Sequence, residues 1–312
     1  MILVVSHAGD EHYRAVAAAL ARAGAAHALL DTARFPQETR LALAYNGGGQ
    51  SALDLPGGPS VDPDDVSAVW WRRPLPYVPH PERQRDAGFI RRECHEALSG
   101  MWLALDALWV NHPSHDEAAT HKPYQLALAE RLGLAVPATL VTNDPAQARA
   151  FVEARAPARL IHKALSATPD DWRETRFVGP AELAGIDAAR YAPVVFQEYV
   201  EGVDLRVTFA GERVFAAEID ARGTSCPQDF RVDLEHARVA PVELPRGVED
   251  RLRRLVSELR LQYAAVDLRR RASGEHVFLE LNPAGQWLFV EERTGLPMTA
   301  ALAGLLASAR PR

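Results

Sequence analysis

Asp267 and Glu280 are the two acids whose placement first suggests chemistry. Ala264–Arg271 and His276–Asn282 read as the strands of a hairpin, and a two-residue Ser273-Gly274 turn sets Asp267 directly opposite Glu280 and Arg269 opposite Phe278. Asn282 shares their face by the period-two rule, and Val266, Leu268, Val277, Leu279 and Leu281 make the core face. Carboxylates opposed at a Cβ separation of ~5 Å repel, so this register asks for positive charge. One source is Arg269 with its neighbours Arg270 and Arg271; the other is a divalent metal held by Asp267, Glu280 and the amide oxygen of Asn282. Hard oxygen donors in that number suit Mg²⁺, which completes its octahedron with water and substrate phosphates. The chain breaks at Asn282-Pro283-Ala284-Gly285, immediately after these donors, and irregular backbone is common beside sites. The metal is therefore the preferred reading, and with it a nucleotide.

The basic residues point the same way. Of 35, all but Lys122 and Lys163 are arginine. Where arginine has replaced lysine so thoroughly, the remaining lysines mark positions suited to a compact ammonium on a flexible stem, such as a phosphate contact; chance retention at the surface is the alternative. A third segment, Gln197-Glu198-Tyr199-Val200-Glu201-Gly202-Val203-Asp204-Leu205-Arg206, reads as a strand ending in a glycine turn. Such a strand end can offer backbone N–H and C=O groups to a flat base, with an acid beyond it reaching a ribose; an exposed hairpin strand explains the segment equally well.

The elements that must position these residues form an α/β opening followed by α+β lobes. Ile2–Val5 is a buried strand, Tyr13–Ala23 a helix and His27–Leu30 a second strand. The cluster Asn46-Gly47-Gly48-Gly49-Gln50 is a hairpin turn between Arg40–Tyr45 and Ser51–Leu55, since no Gly-Lys-Ser/Thr follows it. Val69–Arg73 is a strand ended by Pro74, and a long helical region runs from Pro81 to Leu108. After the strand Trp109–Pro113, Ser114 caps a helix that carries Lys122 and ends near Gly133. Val136–Thr142 and Leu160–Leu165, the latter bearing Lys163, are strands around a helix capped by Asn143 or Asp144. From Val194 the pattern turns to hairpins, with a helix over Val248–Leu261 and a closing helix after Pro297. This divides the chain into lobes at 1–112, 113–193 and 194–312.

Composition narrows the class. The 312 residues are 47% hydrophobic and 24% charged, which excludes a disordered or disulfide-scaffold chain. A net charge of −6 argues against a nucleic-acid or anionic-membrane binder. No apolar run approaches the ~20 residues of a membrane span, and with no secretory pattern the expected location is the cytoplasm. Cys94 and Cys226 lack metal-type or redox-type spacing and are expected to be reduced and structural.

Together, Lys122 at a helix, Lys163 on a strand, the Gln197–Asp204 hinge, Asp204-Leu205-Arg206, and Asp267 followed by Glu280-Leu281-Asn282-Pro283 resemble the ATP-grasp carboxylate ligases. The resemblance implies an ATP-grasp fold of three lobes with ATP held between the central and C-terminal lobes. It implies that Lys122 and Lys163 contact phosphates, that Gln197, Glu198 and Val200 surround adenine, that Asp204 holds the ribose, and that Asp267, Glu280 and Asn282 hold Mg²⁺. Within that class Val69-Trp-Trp-Arg-Arg-Pro74, Asn111-His-Pro113, Pro137–Asn143, Asp229-Phe-Arg231 and Glu280–Trp287 are similar to the microviridin-type, or graspetide, peptide maturases. Their activity implies ATP-dependent ester or amide ring closure between Asp/Glu carboxylates and Ser/Thr hydroxyls or Lys amines. The substrate is then a ribosomally made precursor with a leader and an acidic core, the enzyme a homodimer. Arg206 is the candidate for gripping the carboxylate or stabilising its acyl phosphate, with a plain ion-pair arginine as its rival. No glycine-rich lid follows Lys163, where Ser166-Ala-Thr-Pro-Asp-Asp171 stands instead. Arg72 and Arg73 read either as contacts for an acidic peptide or as a solvated strand end. His112 and His115 are loop histidines, and Trp70, Trp71, Trp102 and Trp109 core or lobe contacts. Two other functions remain open: a ligase for small molecules or for amino-acid addition to a protein tail, and a non-catalytic nucleotide or peptide module.

Overall fold

The computed structural model describes residues 1–166, 175–225, 230 and 232–310. Ser166 apart, the stretch in the place of a lid lies outside them, as do Asp229, Arg231 and Cys226.

The first lobe is built on a parallel sheet in the order His27–Leu30, Ile2–Val5, Ala68–Trp71, Leu108–Val110. Ile2–Val5 is buried along its whole length, as a two-sided parallel strand must be. Asp10 caps the helix Glu11–Arg22 by accepting from the backbone N–H groups of His12 and Tyr13. The glycine cluster is the loop of an antiparallel hairpin, Arg40–Ala42 with Ala52–Asp54, as expected. The helical region is shorter than expected: a 3₁₀ turn over Pro81–Asp86, with non-helical backbone at Arg83, leads into the α-helix Ala87–Ala104. Trp70 and Trp102 are buried in this lobe, and Cys94 is a free, buried thiol.

The single helix expected from Ser114 is two, Pro113–Thr120 and Lys122–Arg131, and the first is capped by His112. Pro123 explains the break. It has no N–H to donate to the carbonyl of Ala119, and the chain leaves the helix at His121, whose backbone is extended at ψ 100°, one residue before the second helix starts at Lys122. Gln125 Nε2 takes that carbonyl instead, at 2.5 Å. Lys122 thus stands at the start of the second helix. His115 lies inside the first helix, correcting its reading as a loop residue. Ala119, Leu128 and Ala129 pack into the core of the largest sheet, with Leu205, Val207, Phe209 and Leu252.

A small antiparallel sheet runs Arg176–Phe177, Leu160–Lys163, Val194–Glu198, Thr139–Thr142. The expected division at 193/194 falls inside it, because Val194–Glu198 is bonded on both sides by strands of the central segment. The chain leaves for the third lobe at 199–202. There Arg238–Pro241, Arg213–Asp220, Val203–Ala210, Tyr263–Arg270 and His276–Asn282 form an antiparallel sheet in that order. Leu205, Val207 and Phe209 face the core with Val266 and Leu268, leaving Asp204, Arg206 and Thr208 on the other face. The closing helix Met298–Ala307 shares a second core with the first lobe, where Leu302 and Leu306 meet Ile2, Val16 and Leu20.

The last hairpin corrects the sequence in detail. Its turn has three residues, Ala272–Gly274, closed by Arg271 N–H to the Glu275 carbonyl, with Gly274 at φ 88°. That shifts the register by one, so Arg269 faces Val277 and not Phe278. A β-bulge at Leu279 then shifts it back, and Asp267 faces Glu280 after all. Phe278, not Leu279, joins the core with Val266, Leu268 and Leu281.

Candidate active site

Four charged side chains cross the polar face of the large sheet in one row. Arg206 pairs in register with Asp267, and Asp267 with Glu280. Arg206 Nε lies 2.7 Å from Asp267 Oδ1, and Lys122 Nζ reaches Glu280 Oε2 at 2.5 Å from the start of its helix. Each opposed acid therefore has its own cation. None of the arginines considered for this task performs it: Arg269 serves Asp204, Arg270 serves Glu218, and Arg271 serves Glu198 and Glu275. Asp267 and Glu280 keep 20% and 24% of their side-chain surface exposed, enough to be reached by an ion, whereas Arg206 keeps 8%.

The hinge residues meet the large sheet through arginines. Both carboxylate oxygens of Asp204 accept from Arg269, at 2.7 and 2.9 Å, with both residues almost fully buried. Burial opposes the charge of Arg269, but Asp204 outweighs it and holds the guanidinium above its ordinary pKa. Arg269 also donates to the carbonyl of Val200, and Arg271 donates to Glu198 at 2.9 Å. Gln197 is buried and donates to Thr139 Oγ1 at 2.9 Å. By register and alternation Lys163 and Gln197 share one face of the small sheet, while His162 and Phe196 share the other. The structure thus joins Lys122, Arg206, Asp267 and Glu280 in one row and ties Glu198, Val200 and Asp204 together through Arg269 and Arg271. The pairing of Asp204 with Arg269 was not foreseen.

Asn282 ends the strand exposed, with its Oδ1 accepting from Ala284 N–H at 3.0 Å. The segment after it is fixed by buried polar side chains that sequence reasoning missed. Gln125 bonds both the N–H and the C=O of Leu281. Asn111 donates to the carbonyls of Pro283 and Tyr263 and accepts from the N–H groups of Gln262 and Tyr263. Arg72 donates to the carbonyls of Ala284 and Gly285 at 2.6 and 3.0 Å, and its Nε is held by Asp10 at 3.1 Å. Arg72 is only 1% exposed, so it is neither a solvated strand end nor a peptide contact. His12 accepts the Trp287 N–H at 3.1 Å, in keeping with burial that depresses its pKa and leaves the ring neutral. Gly285 is required where it stands, since a Cβ there would come within 2.3 Å of the Ala265 Cβ. The signals available in sequence were the Trp-Arg-Arg-Pro and Asn111-His-Pro elements, whose partners lie more than 150 residues away.

This donor set fits Mg²⁺. Among the described residues no group of three or more His, Cys, Asp or Glu could hold a metal. What stands on the face is sparser, two opposed carboxylates and an amide, which is the protein share typical of a Mg²⁺ that brings its own phosphates.

Residues 1–117 match the family model of the MvdD pre-ATP grasp domain. The whole chain superimposes on macrocyclase MdnC bound with precursor peptide MdnA from Microcystis aeruginosa (TM-score 0.86, 27% identity, 99% of each chain). It also superimposes on a Chryseobacterium gregarium RiPP-associated ATP-grasp ligase in complex with ADP and a leader and core peptide (0.87, 25%, 100% of this chain and 97% of that one). A third likeness is to the ATP-grasp ligase PsnB complexed with a phosphomimetic precursor variant, Mg and ADP (0.79, 27%, 98% and 97%). No curated protein sequence matches the chain. In fold the chain is similar to ATP-dependent ligases of the ATP-grasp class, of which neighbours have been solved with ADP and Mg. Within that class it is similar to the graspetide-type maturases of ribosomal peptides. Among the described residues no helix is long and apolar enough to cross a membrane.

Proposed function

We propose that this protein is a peptide macrocyclase: it closes ester or amide rings in a ribosomally made precursor peptide that carries a leader and an acidic core. The observation that carries the reading is the row Lys122–Glu280–Asp267–Arg206, in which two adjoining acids able to hold Mg²⁺ are flanked by cations able to hold phosphate and carboxylate.

The chemistry follows from charge. A peptide carboxylate is a poor acyl donor, so its oxygen first takes the γ-phosphoryl group of ATP and ADP leaves; a hydroxyl or amine of the same peptide then attacks the acyl carbon and phosphate departs. Each ring costs one ATP and removes one water from the peptide. Asp267, Glu280 and Asn282 would hold Mg²⁺, which would supply neutralisation of the transferring group's charge. Lys122 and Lys163 hold phosphate oxygens from the helix start and the small sheet. Arg206 orients the incoming carboxylate and stabilises its phosphorylated form, a task for which a guanidinium fork suits both anions. Gln197, Glu198 and Val200 border the base, and Asp204, fixed by Arg269, faces the ribose.

Purified protein with ATP and Mg²⁺ is expected to remove one or more waters from a precursor rich in Asp, Glu, Thr, Ser or Lys, read by intact mass. ADP formed only when a free amino acid or amine is added, with the peptide mass unchanged, would move the assignment to the small-molecule or tail-adding ligases.

A further inference from the structure

Arg73 is the basic residue beside this site that the clamp and the charged row leave unused. It follows Arg72 directly and precedes Pro74, yet its backbone is left-handed, at φ 48°. A bulky residue adopts that conformation only where its surroundings impose it, and a following proline favours extended backbone instead. Its side chain is exposed and makes no hydrogen bond or ion pair with the described residues. Arg72, Arg206, Arg269, Arg270 and Arg271 each face a carboxylate. Although exposed, Arg73 is recessed enough that burial lowers its pKa. Behind Arg72 and Arg206 it contributes to the positive field on Tyr263, whose hydroxyl donates to the carbonyl of Gly285. Arg72, one residue before Arg73, donates to the carbonyls of Ala284 and Gly285, and Arg206 donates to the carbonyl of Gln286, so the backbone of Arg73 starts beside the loop that follows Asn282. Strain of this kind is held mainly at binding positions.

We propose that Arg73 docks an acidic side chain of the peptide substrate, its guanidinium fork taking the carboxylate on the first-lobe wall of the cleft while Arg206 attends the reacting groups. This rests on the peptide-ligase reading and adds a substrate-recognition residue to it. The clamp of Arg72 on Asp10, Ala284 and Gly285 fixes the backbone from which Arg73 projects.

The test uses the full chain saturated with Mg-ADP and follows arginine Nε–H resonances by NMR, with those of Arg73 and Arg206 assigned by Arg73→Lys and Arg206→Lys. N-acetyl-triglutamate amide is expected to shift the Arg73 signal saturably, and N-acetyl-triglutamine amide to leave it in place. Arg73→Gln is expected to weaken triglutamate binding by about tenfold or more, the worth of a charge-assisted hydrogen bond, and to leave Mg-ADP affinity unchanged. Arg73→Gly, which suits the observed φ, is expected to lose the peptide equally while unfolding at a higher temperature. Triglutamate that leaves the Arg73 signal unmoved in protein still binding Mg-ADP overturns the proposal alone, as does Arg73→Gly that binds triglutamate like the parent. Failure to bind Mg-ADP at all overturns the ligase reading and the proposal with it.

Discussion

Replacing Arg206 with methionine should change the affinity for metal alone and the rate of ligation in opposite directions. Arg206 Nε sits 2.7 Å from Asp267, and Lys122 reaches Glu280 at 2.5 Å, so a divalent ion entering between the acids must share them with two cations. Without Arg206, Asp267 faces Glu280 with one cation between them. Opposed carboxylates at a separation of ~5 Å, with the effective dielectric of about 20 suited to partly buried charges, repel by about 3 kcal/mol. Lys122 continues to offset part of this, so the strain that a metal can relieve corresponds to an affinity gain of about tenfold, and at most on the order of 100-fold. Mn²⁺ titration without nucleotide, followed by the loss of its free EPR signal, reads that gain directly. Turnover with ATP should fall at least 100-fold over the same substitution, the scale of losing an electrostatic stabiliser of the transferring group. Metal affinity that is unchanged or weaker in Arg206→Met would refute the claim that these cations and the metal compete for one pair of acids.

Asp204→Asn leaves Arg269 buried without its carboxylate and should cost about 3–5 kcal/mol of stability in chemical denaturation; Asp204→Leu with Arg269→Met should recover most of it while abolishing nucleotide binding. Gly285→Ala pushes a methyl against Ala265 and should weaken Mg-nucleotide binding more than it lowers the melting temperature, with Ala265→Gly restoring binding. Burial raises the pKa of Asp116 from 3.8 to about 6, so the folded state holds this proton more tightly; its contribution is present below 3.8 and is lost as pH rises through about 6. Asp116→Asn should therefore stabilise the protein at neutral pH by up to about 3 kcal/mol, and the gain should shrink toward zero as pH falls to 3.8, seen as converging melting temperatures.

Much of the site was legible because it is local. Asp267 and Glu280 lie on adjoining strands of one hairpin, and alternation alone puts them on one face. Their register came out right although the turn is a residue longer than its Ser273-Gly274 pair suggests, because the bulge at Leu279 cancels the difference. The helix break before Lys122 was missed, since a single helix from Ser114 was expected. The rest depends on contacts that no local pattern carries. Asp204 meets Arg269 across strands joined by a long excursion, and Arg72 meets Gly285 across lobes. Val194–Glu198 has the alternation of any half-buried strand, and only its hydrogen-bond partners assign it to the small sheet.

Crystals of the full protein grown with ADP and Mn²⁺, and measured at the manganese absorption edge, test the central claim most directly. The account predicts an anomalous peak bridging the carboxylates of Asp267 and Glu280, with Lys122 and Arg206 turned toward phosphate oxygens. A nucleotide bound elsewhere, or bound here while both acids stay on their cations and the peak lies away from them, would contradict it.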